Sequence, residues 1–201
     1  MGITLTIDRS TDAQSVAAVG EDGSVEGLAL EGADGRSGDW AARVGEFVAG
    51  RAVDRIVVGT GPGSFAGIRA ALAFAQGYAI GSGCKVLGLP SPCALAGSGK
   101  VAVVGDARRG MRWVALFEGF EMASDVFQVG VEGLAAAVPA GFSVVSPDDP
   151  RIGADLMAAF GGAYLGAARP TAEGLARFFL ANPSVLKPEP LPIYLNPAVR
   201  P

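Results

Sequence analysis

The sequence predicts an α/β fold made of two halves, each with the element order β-β-β-α-β-α. Three observations lead to this prediction. Short alternating or apolar runs open each half and are typical of strands. Longer apolar stretches with helical spacing follow them. The same order recurs after the glycine-rich segment 97–99, so we expect duplicated halves at residues 1–97 and 98–201.

In the first half, Ile3–Ile7 alternates and predicts a strand that ends at Asp8. The Asp22-Gly23 pair predicts a hairpin turn between the next two strands. The elements predicted after the first strand are strands 15–19 and 24–30, a polar loop at 32–38, a helix over Trp40–Ala49 capped by Asp39, a strand over 55–58 and a helix over Ile68–Ile80.

The second half repeats this order, beginning with a strand over 100–106 that ends at Asp106. Its other predicted elements are strands 112–118, 125–129 and 142–146, and helices 131–138, 152–160 and 171–181. The prolines of 182–201 forbid a helix and predict an extended tail that docks through apolar residues: Leu191, Ile193, Tyr194 and Leu195. A duplicated β-β-β-α-β-α unit is the architecture of actin, Hsp70 and sugar kinases, so we predict an actin/Hsp70-like (ASKHA) fold.

A glycine turn, Gly59-Thr-Gly-Pro-Gly-Ser64, joins the predicted strand over 55–58 to the apolar helix. Its glycines allow positive φ and close backbone approach, and Ser64 can cap the helix. Such turns often hold anions, which makes Gly61, Gly63 and Ser64 candidate nucleotide-binding residues. The alternative is a plain connection from strand to helix. Neither a P-loop nor a complete dinucleotide fingerprint is present.

Composition excludes several function classes. The 201-residue chain has no histidine, so Ser-His-Asp catalysis and His-ligated metal sites are excluded, and we predict no catalytic residue and no metal site. Its net charge is −4 without a basic run, which is unfavourable for binding nucleic acid alone. The N-terminus resembles no signal peptide and no segment predicts a membrane helix, so we expect a cytoplasmic protein.

Asp8 and Asp106 each close the first strand of a half. In actin-like ATPases an aspartate there lies near metal and phosphates, whereas capping of the turn is the simpler alternative. The helix over Ile68–Ile80 is apolar on nearly all sides and rich in alanine, which indicates burial against a partner. The composition of this helix therefore favours a protein–protein interface over a catalytic pocket.

The glycine turn continues as Gly61-Pro-Gly-Ser-Phe-Ala-Gly-Ile-Arg69, an alanine-rich helix and the segment Gly88–Ala96. This string resembles the TsaB (YeaZ) family, scaffold subunits of bacterial tRNA threonylcarbamoyl-adenosine synthesis. The resemblance is strongest over Ile56–Ala96 and covers most of the chain. It implies the actin-like fold and agrees with the element order.

The resemblance implies a non-catalytic subunit that pairs with a TsaD-like catalytic subunit and works with a TsaE-like ATPase. The complex would transfer threonylcarbamoyl to the adenosine beside the anticodon of tRNAs that read ANN codons. The chain would contact tRNA only through the complex, and it could form a homodimer when alone. No cofactor is expected to bind tightly, although ATP or ADP could bind at a subunit boundary. The helices over 40–49 and 68–80 would contact the partner, with these residues implied: Trp40, Val44, Phe47, Ser64, Phe65, Ile68, Arg69, Leu72, Ala73 and Gln76.

Two other functions are weighed against this one. An ATP-dependent small-molecule kinase or ATPase would use the same actin-like fold. A peptidase, an old label in this superfamily, would need a base to activate Ser64 or Thr60, and the chain has no histidine for that role. Partner-dependent modification of tRNA would separate the scaffold from the ATPase.

Overall fold

The computed structural model describes residues 2–30 and 39–195. It divides the chain into two compact units: residues up to 94 together with 170–193, and residues 95–169 together with those from 194 onward. This differs from the predicted boundary between 97 and 98, because the segment 170–193 returns to the first unit. The predicted polar loop at 32–38 and the last six residues of the predicted tail lie outside the described residues.

The strands are β1 (Ile3–Asp8), β2 (Ser15–Val19), β3 (Val25–Ala29), β4 (Val53–Gly59), β5 (Lys85–Leu89), β6 (Lys100–Arg108), β7 (Met111–Glu118), β8 (Glu121–Met122), β9 (Phe127–Gly130), β10 (Ser143–Ser146), β11 (Tyr164–Ala167) and β12 (Lys187–Pro188). The α-helices are α1 (Asp39–Phe47), α2 (Phe65–Ser82), α3 (Leu134–Ala137), α4 (Asp149–Phe160) and α5 (Ala172–Ala181).

Both units contain a mixed sheet with the same plan. In the first, the strand order is β12-β5-β4-β1-β2-β3, with β1, β2 and β3 antiparallel and β4 and β5 parallel to β1. In the second, the order is β11-β10-β6-β7-β8, with β9 also paired to β7. There β6 and β7 are antiparallel, and β10 and β11 run parallel to β6. Two sheets of the same plan agree with the predicted α/β fold of duplicated halves.

The core of the first unit lies between its sheet and the helices α1 and α2. Strand β1 alternates, so Leu5 and Ile7 join this core while Thr4 and Thr6 point to the opposite face. The helices contribute Val44 from α1 and other fully or nearly buried side chains, namely Trp40, Ile68, Ala71, Leu72 and Ala75, and Val48 adds to them just after α1. The second unit has its own core, in which Val104, Leu134 and Leu156 are fully or nearly fully buried.

Helix α5 covers the opposite face of the first sheet, which explains why its segment belongs to the first unit. The Thr6 hydroxyl donates to the Ala172 carbonyl at 2.9 Å, and the Ala172 N–H donates to the Ser15 hydroxyl at 2.8 Å. Leu175 and Phe178 are fully buried. The sequence analysis placed this helix in the second half because it follows the strands of that half. Periodicity indicates that a helix has a buried face, but it does not indicate which sheet that face covers.

Several short elements differ from the predictions. Strands β5, β8, β11 and β12 were not predicted, and the helix expected over 131–138 is a 3₁₀ turn followed by the short α3. In the tail, Pro190 is buried and the Ile193 N–H donates to the Thr60 carbonyl at 2.9 Å, whereas Leu191 and Tyr194 are exposed. Of the four residues predicted to dock the tail, Ile193 and Leu195 are half-buried and the other two are exposed.

The position of α5 yields a stability prediction. Replacing Phe178 by Ala removes a fully buried ring from the contact with the sheet, so we expect unfolding free energy to fall by about 3–5 kcal/mol. Leu180→Ala, on the exposed side of the same helix, should cost less than about 1 kcal/mol. Urea unfolding of both variants measures the difference; equal losses would contradict the packing of α5.

Candidate functional site

The glycine turn links β4 to α2 as predicted, and it starts α2 three residues earlier than the sequence suggested. Gly61 and Gly63 have φ values of 88° and 157°. Ser64 is the N-cap: its hydroxyl accepts a hydrogen bond from the Gly67 N–H at 3.2 Å. Gly83, with φ 75°, ends the helix in a left-handed conformation.

The glycine turn and the first turn of α2 lie directly against the turn between β1 and β2. The Ser64 N–H donates to the Ser10 carbonyl at 2.7 Å. A Cβ atom at Gly63 would collide with that carbonyl, and a Cβ at Gly67 would collide with the carbonyl of Arg9. Glycine is therefore required at both positions for close approach of the two backbones.

The other side of the glycine turn is bonded to the segment after β5. The Gly61 N–H donates to the Ser91 hydroxyl at 3.0 Å, and the Ser91 N–H donates to the Gly61 carbonyl at 2.9 Å. Two of the backbone N–H groups that a phosphate would need, at Gly61 and Ser64, thus already donate within the chain. Nucleotide binding by Gly61, Gly63 and Ser64 stays a prediction.

Asp8 ends β1 beneath this turn and is completely buried. Its Oδ1 accepts from the Ser10 N–H at 2.9 Å and from the Ser10 hydroxyl at 2.6 Å. Its Oδ2 lies where a Cβ of Gly59 would be, and it has no hydrogen-bond partner of normal geometry among the described residues. Burial raises the pKa of Asp8, and hydrogen bonding to Ser10 and the nearby Ser91 hydroxyl offsets this only in part.

Asp106, at the corresponding strand of the second unit, has a different environment. Its carboxylate lies 3.1 Å from the Arg151 Nε, 3.3 Å from the Arg108 guanidinium and 3.6 Å from that of Arg112. Three cations thus surround one nearly buried carboxylate. Within residues 2–30 and 39–195, no group of three or more potential ligands could hold a metal ion.

Helix α2 has one buried face and one exposed face. Ile68, Ala71, Leu72 and Ala75 are buried in the unit. The opposite face carries Phe65, 53% exposed, and Ile80, 89% exposed. Between these two lie exposed residues that are mostly small: Ala66, Arg69, Ala70, Ala73, Gln76 and Gly77. Arg69 stacks its guanidinium 4.9 Å from the centre of the Phe65 ring.

The residues expected to bind a partner separate accordingly. Four are part of the unit's own core, and Phe47 is half-buried; the four are Trp40, Val44, Ile68 and Leu72. The other five are exposed: Ser64, Phe65, Arg69, Ala73 and Gln76. Within this unit the outer face of α2, made of small residues, faces solvent, and its burial against a partner stays a prediction.

Comparisons with known proteins found one family model and several solved structures that are similar to this chain. The family model for TsaD, tRNA N6-adenosine threonylcarbamoyltransferase, matches residues 48–139, which include the glycine turn and α2. A crystal structure of an uncharacterized Pseudomonas aeruginosa protein with similarity to peptidase YEAZ matches at 25% identity with a TM-score of 0.77, over 98% of this chain and 100% of that one. YeaZ from Pseudomonas aeruginosa matches at 25% identity with a TM-score of 0.75, over 97% of this chain and 100% of that one.

These similarities support the resemblance of the chain to the YeaZ (TsaB) family. The resemblance noted in the sequence and the predicted α/β actin-like fold are thereby confirmed. No curated protein matches the chain by sequence. Among the helices in the part of the chain that the structure describes, none has the length and apolar character to cross a membrane.

Sequence reasoning identified the glycine turn and missed the residues that contact it. Ser10, Ser91 and the carbonyl of Arg9 contact the turn from β1–β2 and from the end of β5. Nothing local in the sequence marks them, because each contributes through contacts with residues far along the chain.

The burial of Asp8 predicts that the stability of the folded chain depends on pH. Because its pKa is raised above the ordinary value of 3.8, the folded protein holds this proton more tightly than the unfolded chain does. The contribution of Asp8 to stability is therefore full below pH 3.8 and is lost as pH rises toward the folded-state pKa. Asp8→Asn, which keeps an acceptor for Ser10, should gain stability relative to wild type across that interval.

Urea unfolding of wild type and Asp8→Asn at a series of pH values from about 4 to 8 checks this, with the window set by the shift in pKa. A stability difference that does not change with pH would contradict a raised pKa. Asp22→Asn is the control, because Asp22 is exposed at a hairpin and accepts hydrogen bonds from Ser24.

Proposed function

We propose that this chain is a non-catalytic scaffold subunit that binds a TsaD-like catalytic subunit for transfer of threonylcarbamoyl to tRNA. The observation that carries the proposal is the outer face of α2, where apolar and small side chains are exposed on an 18-residue helix. The structural similarity to YeaZ supports this, and so does the match of residues 48–139 to the TsaD family model.

The outer face has the properties of a helix-packing surface. Its exposed small residues recur three or four positions apart, at Ala66, Ala70, Ala73 and Gly77, so they form one stripe along the helix. Small residues let a second helix approach closely, and Phe65 and Ile80 lie near the two ends of the stripe, where they can enter pockets of a partner. Large exposed apolar side chains grouped on one face mark interaction sites more often than catalytic ones.

The absence of histidine favours a scaffold role over catalysis of the transfer reaction. The TsaD family is described by a transferase activity, and by the resemblance its members carry a histidine-based metal site, which this chain cannot form. In the proposed complex the catalytic groups therefore come from the partner. A TsaE-like ATPase completes the complex, and tRNA contacts this chain only within it.

The alternative function is that of an ATP-dependent kinase or ATPase with the actin-like fold. It would need the turn between β1 and β2 to face bound phosphates. The packing of that turn against Gly63 and Gly67 weighs against this alternative, and so does the complete burial of Asp8. ATP hydrolysis by the isolated chain would support it.

The two faces of α2 give a matched test. Ala73→Glu places a carboxylate on the exposed face, so the free chain should keep its stability to within about 0.5 kcal/mol. In a packed interface the same carboxylate should cost several kcal/mol, so affinity for the TsaD-like subunit should fall by about 30-fold or more. Leu72→Glu puts the charge in the core, where Leu72 is 5% exposed, and should unfold the chain instead.

Thermal melts and titration calorimetry with the TsaD-like subunit separate these effects. Ala158→Glu, a change of the same kind at an exposed position of α4, should alter neither quantity. Full binding by Ala73→Glu would contradict the interface. A reconstituted reaction with both partners, threonylcarbamoyl-AMP and an ANN-decoding tRNA should lose modification with Ala73→Glu and keep it with Ala158→Glu.

The charge of the chain gives a second expectation. With a net charge of −4, the isolated chain releases few counterions on meeting tRNA and should bind it only weakly. Filter binding at low and high salt checks this. A sub-micromolar, salt-sensitive complex with the lone chain would show instead that it binds tRNA directly.

A further inference from the structure

Arg9, in the turn between β1 and β2, contacts both α1 and α2. Its carbonyl lies against Gly67 in the first turn of α2. Its guanidinium lies 4.3 Å from the centre of the Trp40 ring in the first turn of α1. The Arg9 Nε also donates to the Gln14 Oε1 at 2.6 Å, which fixes the direction of the side chain.

Trp40 also contacts a residue of α2. Its ring meets Phe74 edge-on, with the centroids 5.1 Å apart and the planes at 80°. Phe74 in turn lies 6.1 Å from Tyr78. A row of four side chains therefore runs from the β1–β2 turn, across the start of α1, and along α2.

Helix α1 depends on such contacts for its position. It has nine residues, which is too short for a stable helix in isolation. Its buried residues are Trp40 and Val44, and its outer side exposes the small residues Ala41, Ala42 and Gly45. A shift of Trp40 would therefore move the exposed side of α1 relative to that of α2.

We propose that Arg9 is a positioning residue that holds the start of α1 against α2 and so sets the shape of the surface that binds the partner. This inference rests on the proposed function. Arg9 does not itself need to touch the partner. The planar guanidinium suits the role, because it stacks on the ring of Trp40 while its Nε remains bonded to Gln14.

The test compares Arg9→Ala and Arg9→Lys with wild type by two measurements. The first is amide hydrogen exchange of 39–47 in the free chain; the second is affinity for the TsaD-like subunit. Arg9→Ala should speed exchange in α1 and weaken binding, each by about fivefold to tenfold. Arg9→Lys keeps the charge but loses the planar stack and the Nε bond, so its losses should be intermediate.

Arg55→Ala is the matched control. Arg55 makes the same two kinds of contact elsewhere: its guanidinium lies 5.8 Å from the Phe179 ring of α5, and its Nε donates to the Thr4 hydroxyl at 2.7 Å. This variant should lose some stability while keeping the exchange of α1 and the affinity for the partner unchanged.

Each outcome decides the matter. Unchanged α1 exchange in both Arg9 variants would overturn the proposal, and so would faster exchange with wild-type affinity. If wild type itself fails to bind the TsaD-like subunit, the proposed function is contradicted, and the positioning of a partner surface by Arg9 falls with it. In that case the exchange data still report separately whether Arg9 holds α1.

Discussion

The first unit depends on the contact between the backbone of the β1–β2 turn and the glycines at the start of α2. Gly63 and Gly67 lie against the carbonyls of Ser10 and Arg9, at distances that leave no room for a Cβ atom. This contact fixes where α2 begins and therefore which of its residues face the sheet. It also uses the Ser64 N–H, so that the cap of the helix and the turn of the sheet form one bonded structure.

The glycine turn could be predicted from the residues of the turn itself. The segments packed around it could not, because their positions depend on contacts between residues far apart in the sequence. The glycine turn, the Ser64 cap and the strands around β1 follow from turn residues and periodicity, and the structure contains them. Strands β5 and β11 are short and contain a glycine, so the pattern signal is weak. Helix α5 was recognised, but its place on the first sheet depends on bonds from Thr6 and Ser15 that no local pattern reveals.

Asp8 at the end of β1 and Asp106 near the end of β6 show how duplicated positions can acquire different electrostatic surroundings. Asp106 forms ion pairs with three arginines, namely Arg108, Arg112 and Arg151. Asp8 lies among hydroxyl groups and glycine backbone, forms no ion pair within residues 2–30 and 39–195, and has a pKa that burial raises. The element order predicted equivalent roles for both residues, whereas the side chains supplied by distant segments give each carboxylate a separate structural function.

Helix α2 illustrates why the sequence of an apolar helix does not show which of its faces are buried. Alanine and glycine are small enough to be tolerated in solvent and also allow close packing, so composition alone fits both a core helix and an interface helix. The structure separates them: Ile68, Leu72 and Ala75 serve the unit's core, while Phe65 and Ile80 remain exposed at opposite ends of the outer stripe. The stack of Arg69 on Phe65 restricts that ring before any partner arrives, which lowers the entropy cost of binding. A face that is apolar, small-sided and partly pre-ordered has the physical requirements for helix-to-helix association.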